Sequence, residues 1–222
     1  MMTPQQSRAE LSAVSEAAVA DAVELAGRVN GSPESRRLAL LDTVPGVIDY
    51  YATGAAAAAA DFYDERRQLA EVKRSYATEL FIADRTVKIR RAVAWASEPL
   101  FAEMSVTLEQ RLSEIVQSEV AYPYRDTIIG NRKKDPQAAG WRRVQGDSCR
   151  FCRMLADRGA VYRKATATFA AHPNCDCSAE PVFFGQEPGP EASAIQYMAS
   201  RRNRTPATRQ RIRDYLDANY PE

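Results

Sequence analysis

Every cysteine and the only histidine of this 222-residue chain lie between residues 149 and 177, as Cys149-Arg-Phe-Cys152 and then His172-Pro-Asn-Cys175-Asp-Cys177. Thiolate and imidazole are the ligands zinc prefers. A Cys-x-x-Cys turn can aim two sulfurs at one ion, and a His-led turn about twenty residues later completes a tetrahedron. The clustering therefore predicts a small, loop-rich module stapled by a metal, since such a module is too small to hold itself together by apolar burial. Scattered cysteines would read as small buried hydrophobes and a lone histidine as an ordinary polar side chain. Concentration of all five in one segment argues against both. An even cysteine count also permits two disulfides, but that framework suits small secreted domains, and the chain opens Met-Met-Thr-Pro-Gln-Gln with no apolar targeting segment. A thioredoxin-type redox pair needs a βαβ setting, whereas Val144-Gln-Gly-Asp-Ser148 reads as a short strand or loop entering a turn.

Five candidate ligands, Cys149, Cys152, His172, Cys175 and Cys177, compete for four positions. Cys149 and Cys152 are the first choices, because backbone amides of the turn between them can hold both as thiolates. The His172 to Cys175 turn, aided by Pro173, and the extended pair Cys175 and Cys177 each offer a way to close the site. If both of those sulfurs bind, His172 becomes a donor that orients a thiolate. A catalytic zinc would keep an open position beside a carboxylate base, as in His-Glu-x-x-His or the deaminase His-x-Glu with Pro-Cys-x-x-Cys. Neither pattern occurs. A Cys-His nucleophile could be built only on His172, so a closed structural zinc is expected, in a protein that is not an enzyme.

The runs Arg125-Asp-Thr-Ile, Gly140-Trp-Arg-Arg-Val144, Cys149-Arg-Phe-Cys152-Arg-Met-Leu-Ala-Asp-Arg-Gly-Ala-Val-Tyr162, His172-Pro-Asn-Cys-Asp-Cys177 and Pro181-Val-Phe resemble the MuF-like minor capsid, or head-morphogenesis, proteins of tailed bacteriophages, in particular those infecting actinobacteria. The likeness is most specific between about residues 120 and 184, and Ala55 to Arg67 also resembles the helical region preceding the cysteine module in that group. The family's Cys-x-x-Cys and His-x-x-Cys-x-Cys positions fall on the five residues named above. The resemblance implies a virion component near the portal, inside or beside the capsid, with portal or capsid proteins as partners and a role in head assembly. Some relatives carry a maturation protease or a toxin domain, and neither activity is expected here. A zinc-dependent nuclease or other DNA-processing enzyme is the alternative, although nucleases with cysteine knuckles need histidines for a catalytic metal. A free transcriptional regulator is a third reading.

The rest of the chain predicts a mainly α fold carrying a small α+β zinc-stapled module. The expected divisions are a helical region over 1–130, the Cys/His module over 131–186 and a basic tail with a short helix over 187–222. Thr3-Pro4-Gln5-Gln6 combines an N-cap, a proline at the first helical position and a capping-box glutamine, and Asn30-Gly31 is a natural stop. Ser32-Pro33 starts a second helix, with a break expected near Pro45. A third should run from Gly46 to about Tyr76, with Val47, Tyr50, Tyr51, Ala58, Phe62 and Leu69 as core candidates. Further helices are expected over about Arg85 to Ala96 and Leu100 to Ala121, the latter burying Leu108, Leu112, Ile115 and Val116. Residues 131–140 read as a surface connection, and Trp141 to Val144, Val161 to Arg163 and Pro181 to Phe184 as short strands around the zinc. Glu187-Pro-Gly-Pro190 breaks regular structure before a final helix signalled by Thr205-Pro206. No apolar run is long enough to span a bilayer, and Ala55 to Ala60 suits a helix packed closely on a neighbour. No phosphate-cradling glycine loop or dinucleotide fingerprint points to a small-molecule substrate.

Charge is lopsided: residues 1–80 hold 8 basic and 12 acidic side chains, whereas residues 125–213 hold 17 basic and 8 acidic. The basic half is either a solvated face countering the acidic helices or a surface for phosphate or an acidic protein. The candidate contacts are Arg132, Lys133, Lys134, Arg142, Arg143, Arg201, Arg202 and Arg204. With no base-reading motif beside them, contact with phage DNA would be independent of sequence and weakened by salt.

Overall fold

A computed structural model describes residues 1–146, 150–159, 162, 168–169, 171–172, 174–186 and 205–221. The chain is mainly helical, in the order α1 (Pro4–Arg28), α2 (Pro33–Leu69), α3 (Thr86–Ala96), a 3-10 turn at Glu98–Leu100, α4 (Leu108–Lys134), β1 (Ala138–Val144), α5 (Arg150–Ala156), β2 (Ser178–Phe183) and α6 (Pro206–Asn219). Local signals set most helix starts. Thr3 and Gln6 form the capping box of α1, Ser32 caps α2 and Thr205 caps α6, each with proline next in line. Among the described residues no helix is long and apolar enough to cross a membrane.

Three expected boundaries move. Pro45 does not break the second helix, which runs unbroken from Pro33 to Leu69. Proline there removes the N–H that would reach the carbonyl of Leu41, and Arg90 of α3 supplies the missing donor at 2.8 Å. The same helix then stops at Leu69, short of Tyr76. Glu71 adopts φ +51°, with the Val72 N–H on the Arg67 carbonyl and the Glu71 N–H on that of Gln68, a Schellman stop built without glycine. Finally, α4 starts at Thr107, whose capping box uses Gln110, and continues through Pro123 to Lys134. An internal proline costs about 3 kcal/mol, whereas full burial of one large apolar side chain contributes about 1.5–3 kcal/mol. Tyr124 and Ile128, both fully buried beyond the proline, are enough to offset it.

Helices α1, α2 and α4 pack on one another, and the antiparallel pair β1–β2 lies on them. The strand register matches Trp141 with Pro181 and Val144 with Ser178, and a bulge falls between Ala138 and Gly140. One apolar core unites the helices with Trp141, Ala179 and Phe183 of the sheet, so the division expected at 130/131 lies inside α4. The buried ladder of α2 is Leu40, Val44, Ile48, Ala52, Ala55, Ala59 and Phe62. Of the expected core face, Phe62 lies on this ladder and is buried, whereas Tyr50 and Leu69 lie off it and are exposed at 76 % and 42 %. Alanines 55, 56 and 59 of α2 and Ala18, Ala22 and Ala26 of α1 are buried, and the two helices pack on each other with the closeness that small side chains allow.

Residues 131–140 are not a surface connection. Asn131 is fully buried and its side chain holds both the N–H and the carbonyl of Glu79 and the hydroxyl of Tyr76. Asp135, also buried, takes a buried ion pair from Arg67 and a hydrogen bond from the Tyr63 hydroxyl. That hydroxyl is pushed well above its usual pKa, by burial first and then by Asp135. Glu180 of β2 is clamped between Arg66 of α2 and Arg142 of β1. Losing one partner of a buried charge pair typically costs about 3–5 kcal/mol, so Arg66–Glu180 ties the sheet to α2 while Arg67–Asp135 ties the end of α4 to α2. Helix α6 packs Ile212 and Leu216 on Met154 and Leu155 of α5, with Arg153 donating to the Pro221 carbonyl at 2.6 Å. The described end of the tail is thereby docked.

Phe81 lies directly on Gly130 of α4, where an added Cβ would sit 2.6 Å from the ring. Gly130→Ala is expected to lower stability by about 1–2 kcal/mol, overpacking outweighing the roughly 1 kcal/mol gained in helix propensity. In a Phe81→Ala background the same substitution should instead stabilise, and thermal melts of the four proteins check the change of sign. Beside this contact, burial raises the Asp126 carboxyl to about 6 from 3.8. The folded state therefore favours its protonated form, and this group's contribution to stability is present below pH 3.8 and falls as pH rises through about 6. Asp126→Asn should raise the melting temperature at pH 7 and leave it nearly unchanged at pH 3.5.

Candidate metal centre

Three side chains from two separated segments meet beneath the sheet. Cys152 lies in α5, fully buried, and His172 and Cys175 lie in the turn that leads into β2. The turn closes with the Cys175 N–H on the His172 carbonyl at 3.2 Å and Asn174 at φ +58°, a left-handed conformation that asparagine tolerates better than most residues. The ligand atoms of Cys152, His172 and Cys175 all lie within 4.8 Å of one another. The two sulfurs are 3.8 Å apart, and Cys152 Sγ is 3.3 Å from His172 Nε2. For a tetrahedral zinc with bonds of about 2.3 Å to sulfur and 2.0–2.1 Å to nitrogen, geometry gives S···S of about 3.8 Å and S···N of about 3.5 Å. The cluster could therefore hold a metal ion with little movement.

Cys177 is fully buried two residues on and interacts with both Cys152 and Cys175. It lies outside the trio whose ligand atoms are all mutually close. The Cys175 thiol is lowered, first by hydrogen bonds from Cys152 and Cys177 and further by the charge of Arg125. The Cys152 thiol is raised by the same hydrogen bond with Cys175. Cys149, a first choice from the sequence, lies outside the described residues.

Two arginines that the metal motif did not single out complete the surroundings. Arg125 of α4 is 3 % exposed; its Nε and Nη2 donate to the carbonyl of Cys177 at 3.0 and 2.8 Å, and Nη2 also reaches that of Cys175 at 2.7 Å. Burial lowers its pKa from the ordinary guanidinium value, partly opposed by the charge of Cys175. Arg143 of β1 brings Nη1 to 3.8 Å from the sulfurs of both Cys152 and Cys175. Both guanidiniums lie over the ring of Phe169, at 4.6 and 3.9 Å, and Trp141 stacks on Phe169 and Tyr162. Arg8 of α1 pairs at 3.0 Å with Asp176, between the two cysteines. The sequence signal for Arg143 was there, two basic residues just before the Cys-x-x-Cys, but it read as a basic face.

The basic residues fall in different places. Arg143 is 4 % exposed and turned to the cysteines, and Arg142 holds Glu180 through two hydrogen bonds. Arg132, Lys133 and Lys134 form the last turn of α4. Lys133 and Lys134 are exposed there, and Lys134 pairs with Glu79 at 2.6 Å. Arg201, Arg202 and Arg204 lie outside the described residues, as do Val161 and Arg163 of the expected middle strand. Tyr162 between them is not in a strand.

A family model described as VG15 protein matches residues 3–201. No curated protein and no solved structure matches.

Cys152→Ser should weaken metal binding, since it removes a thiolate from the ligand set, so that bound transition metal falls well below about one ion per chain after dialysis against a chelator. Hydrogen exchange should then rise in the segment 145–184 while the amides of α1 and α2 stay protected, because those helices rest on the apolar core. Retention of stoichiometric metal by the variant would contradict the assignment of Cys152.

Proposed function

The chain belongs to the VG15 protein family, a phage-derived group, over residues 3–201, and from that premise we propose that it is a MuF-like minor capsid protein acting in head morphogenesis near the portal. Its metal is zinc, and the zinc is structural. The observation that carries the reading is the convergence of Cys152 and Cys175, both buried, with the half-buried His172 into one cluster with tetrahedral spacing, on residues through which the sequence resembles the MuF-like proteins. A ligand set this buried, packed under Trp141, Phe169 and two arginines, suits a staple better than a site that must admit water and substrate. Its work is to hold α5 and the turn before β2 against α4. That fixes the surface on which α6 docks.

Contact with packaged DNA, within this reading, is carried by solvent-facing cations. Lys133 and Lys134 at the end of α4 and Arg209, Arg211 and Arg213 on α6 are exposed, whereas Arg142 and Arg143 are engaged inside the fold. A lysine turn and an arginine helix without base-reading groups suit phosphate contact independent of sequence. The acidic N-terminal helices are the face offered to portal or capsid protein, and the site of action is the interior of the virion or the portal vicinity.

The reading is tested by quantitative mass spectrometry of purified phage heads. The protein should copurify with procapsids and mature virions at a few copies per portal ring, and deletion of its gene should yield heads defective in assembly or DNA content. Normal infectious particles that lack the protein would overturn the assignment.

A further inference from the structure

We propose that residues 78–83 form an open strand edge through which two copies of this chain pair antiparallel. The inference stands apart from the metal reading. Its starting observation is a set of hydrogen bonds at alternate residues. The buried side-chain amide of Asn131 takes both backbone groups of Glu79, accepting from its N–H at 2.9 Å and donating to its carbonyl at 2.8 Å. The buried hydroxyl of Thr127 accepts from the Phe81 N–H at 3.1 Å.

A residue whose N–H and C=O both face one neighbour is in extended backbone, and along a strand the next residue to face that way comes two positions later. Thr127 and Asn131 are one turn apart on α4, about 6 Å along its axis, close to the span of about 6.6–6.8 Å that two strand residues cover. The helix thus stands in for a neighbouring strand on one edge of the segment. Leu80 and Ile82 turn their backbone groups to the other edge, where neither has a hydrogen bond among the described residues, and their side chains are exposed at 48 % and 45 %. Soluble proteins blunt a bare edge with proline, lysine or a bulge, and Thr78-Glu79-Leu80-Phe81-Ile82-Ala83 contains neither proline nor lysine. Its one charge, Glu79, is paired with Lys134 at 2.6 Å.

Free backbone groups at two-residue spacing are met by another extended backbone. The occupant is a second copy of the same segment. A flexible foreign segment would have to be ordered as it bound, whereas a second copy presents an edge that its own α4 already holds. Two-fold pairing centred on Phe81 sets Leu80 opposite Ile82 of the second copy and Ile82 opposite its Leu80, so each pair exchanges two N–H···O bonds and brings apolar side chains together. In the same register Glu79 faces Ala83 and Thr78 faces Asp84, so no like charges meet. An interface built on two such pairs is small, and the dimer is therefore weak and forms as concentration rises.

Sedimentation velocity on the full chain, with amide hydrogen exchange followed by NMR, provides the test. The weight-average mass should climb toward twice that of one chain as concentration rises, and the Leu80 and Ile82 amides should gain protection in step. The amides of Glu79 and Phe81, already bonded to α4, should exchange slowly at every concentration. Ile82→Pro removes one donor from the open edge and leaves Phe81 in the extended backbone that a residue before proline favours, so this variant should keep the mass of a single chain. Tyr50→Lys, at an exposed aromatic of α2, should dimerise like the wild type, which separates edge pairing from general apolar association. Should Ile82→Pro fail to fold, Ile82→Lys, which places a charge on the edge, takes its place with the same expected result. A wild type of constant single-chain mass, dimerisation that survives the Ile82 variant, or a dimer whose Leu80 and Ile82 amides exchange as fast as in the monomer would overturn the proposal. Protection of those two amides only when portal or capsid protein is added would overturn it as well, by assigning the edge to a foreign strand.

Discussion

The hold of Arg125 on the carbonyls of Cys175 and Cys177 is the contact on which the described structure turns. These hydrogen bonds, at 2.7 to 3.0 Å, join the central helix to the segment that brings the sulfurs together. Without that tie a turn of six residues, rich in thiols and led by a histidine, would have little reason to sit against α4. The segment is poor in large apolar side chains, so polar anchoring must supply what burial cannot, and the proposed metal would add to it. Arg8, reaching Asp176 from α1, adds a second tether to the same turn.

From that anchor the architecture extends in two directions. Toward the N-terminus, α4 shares one apolar core with α1, α2 and the sheet. The buried pair of Arg66 with Glu180 ties the sheet to α2, and that of Glu180 with Arg142 joins β2 to the strand that carries Arg143. Toward the C-terminus, α5 carries Cys152 on one face and receives α6 through Met154 and Leu155. The proposed zinc thus stands between a well-packed helical body and a cationic helix, and its loss would loosen the second far more than the first.

Local chemistry made much of this legible in the sequence. Capping residues at Thr3, Ser32 and Thr205 signal helix starts within a few positions, because the hydrogen bonds involved join neighbours. The convergence of Cys152, His172 and Cys175 was legible for a different reason: few soluble proteins gather those residue types without a use for them. What escaped depends on partners distant in sequence. Pro45 stays helical because Arg90, 45 residues later, feeds the carbonyl it leaves unbonded; Asn131 is buried because it satisfies Glu79 and Tyr76. Arg142 and Arg143 looked like a basic surface since nothing adjacent revealed Glu180 or the sulfurs. The stop at Glu71 had no glycine to announce it.

The central proposal is that the carboxyl-terminal part of this phage-family chain is built around one zinc held by the Cys/His cluster. X-ray absorption at the zinc edge, on protein purified under reducing conditions without added metal, addresses it most directly. The account predicts one zinc per chain, four-coordinate, with sulfur at about 2.3 Å as the dominant neighbour. Metal-free protein, or zinc surrounded chiefly by oxygen and nitrogen, would contradict it.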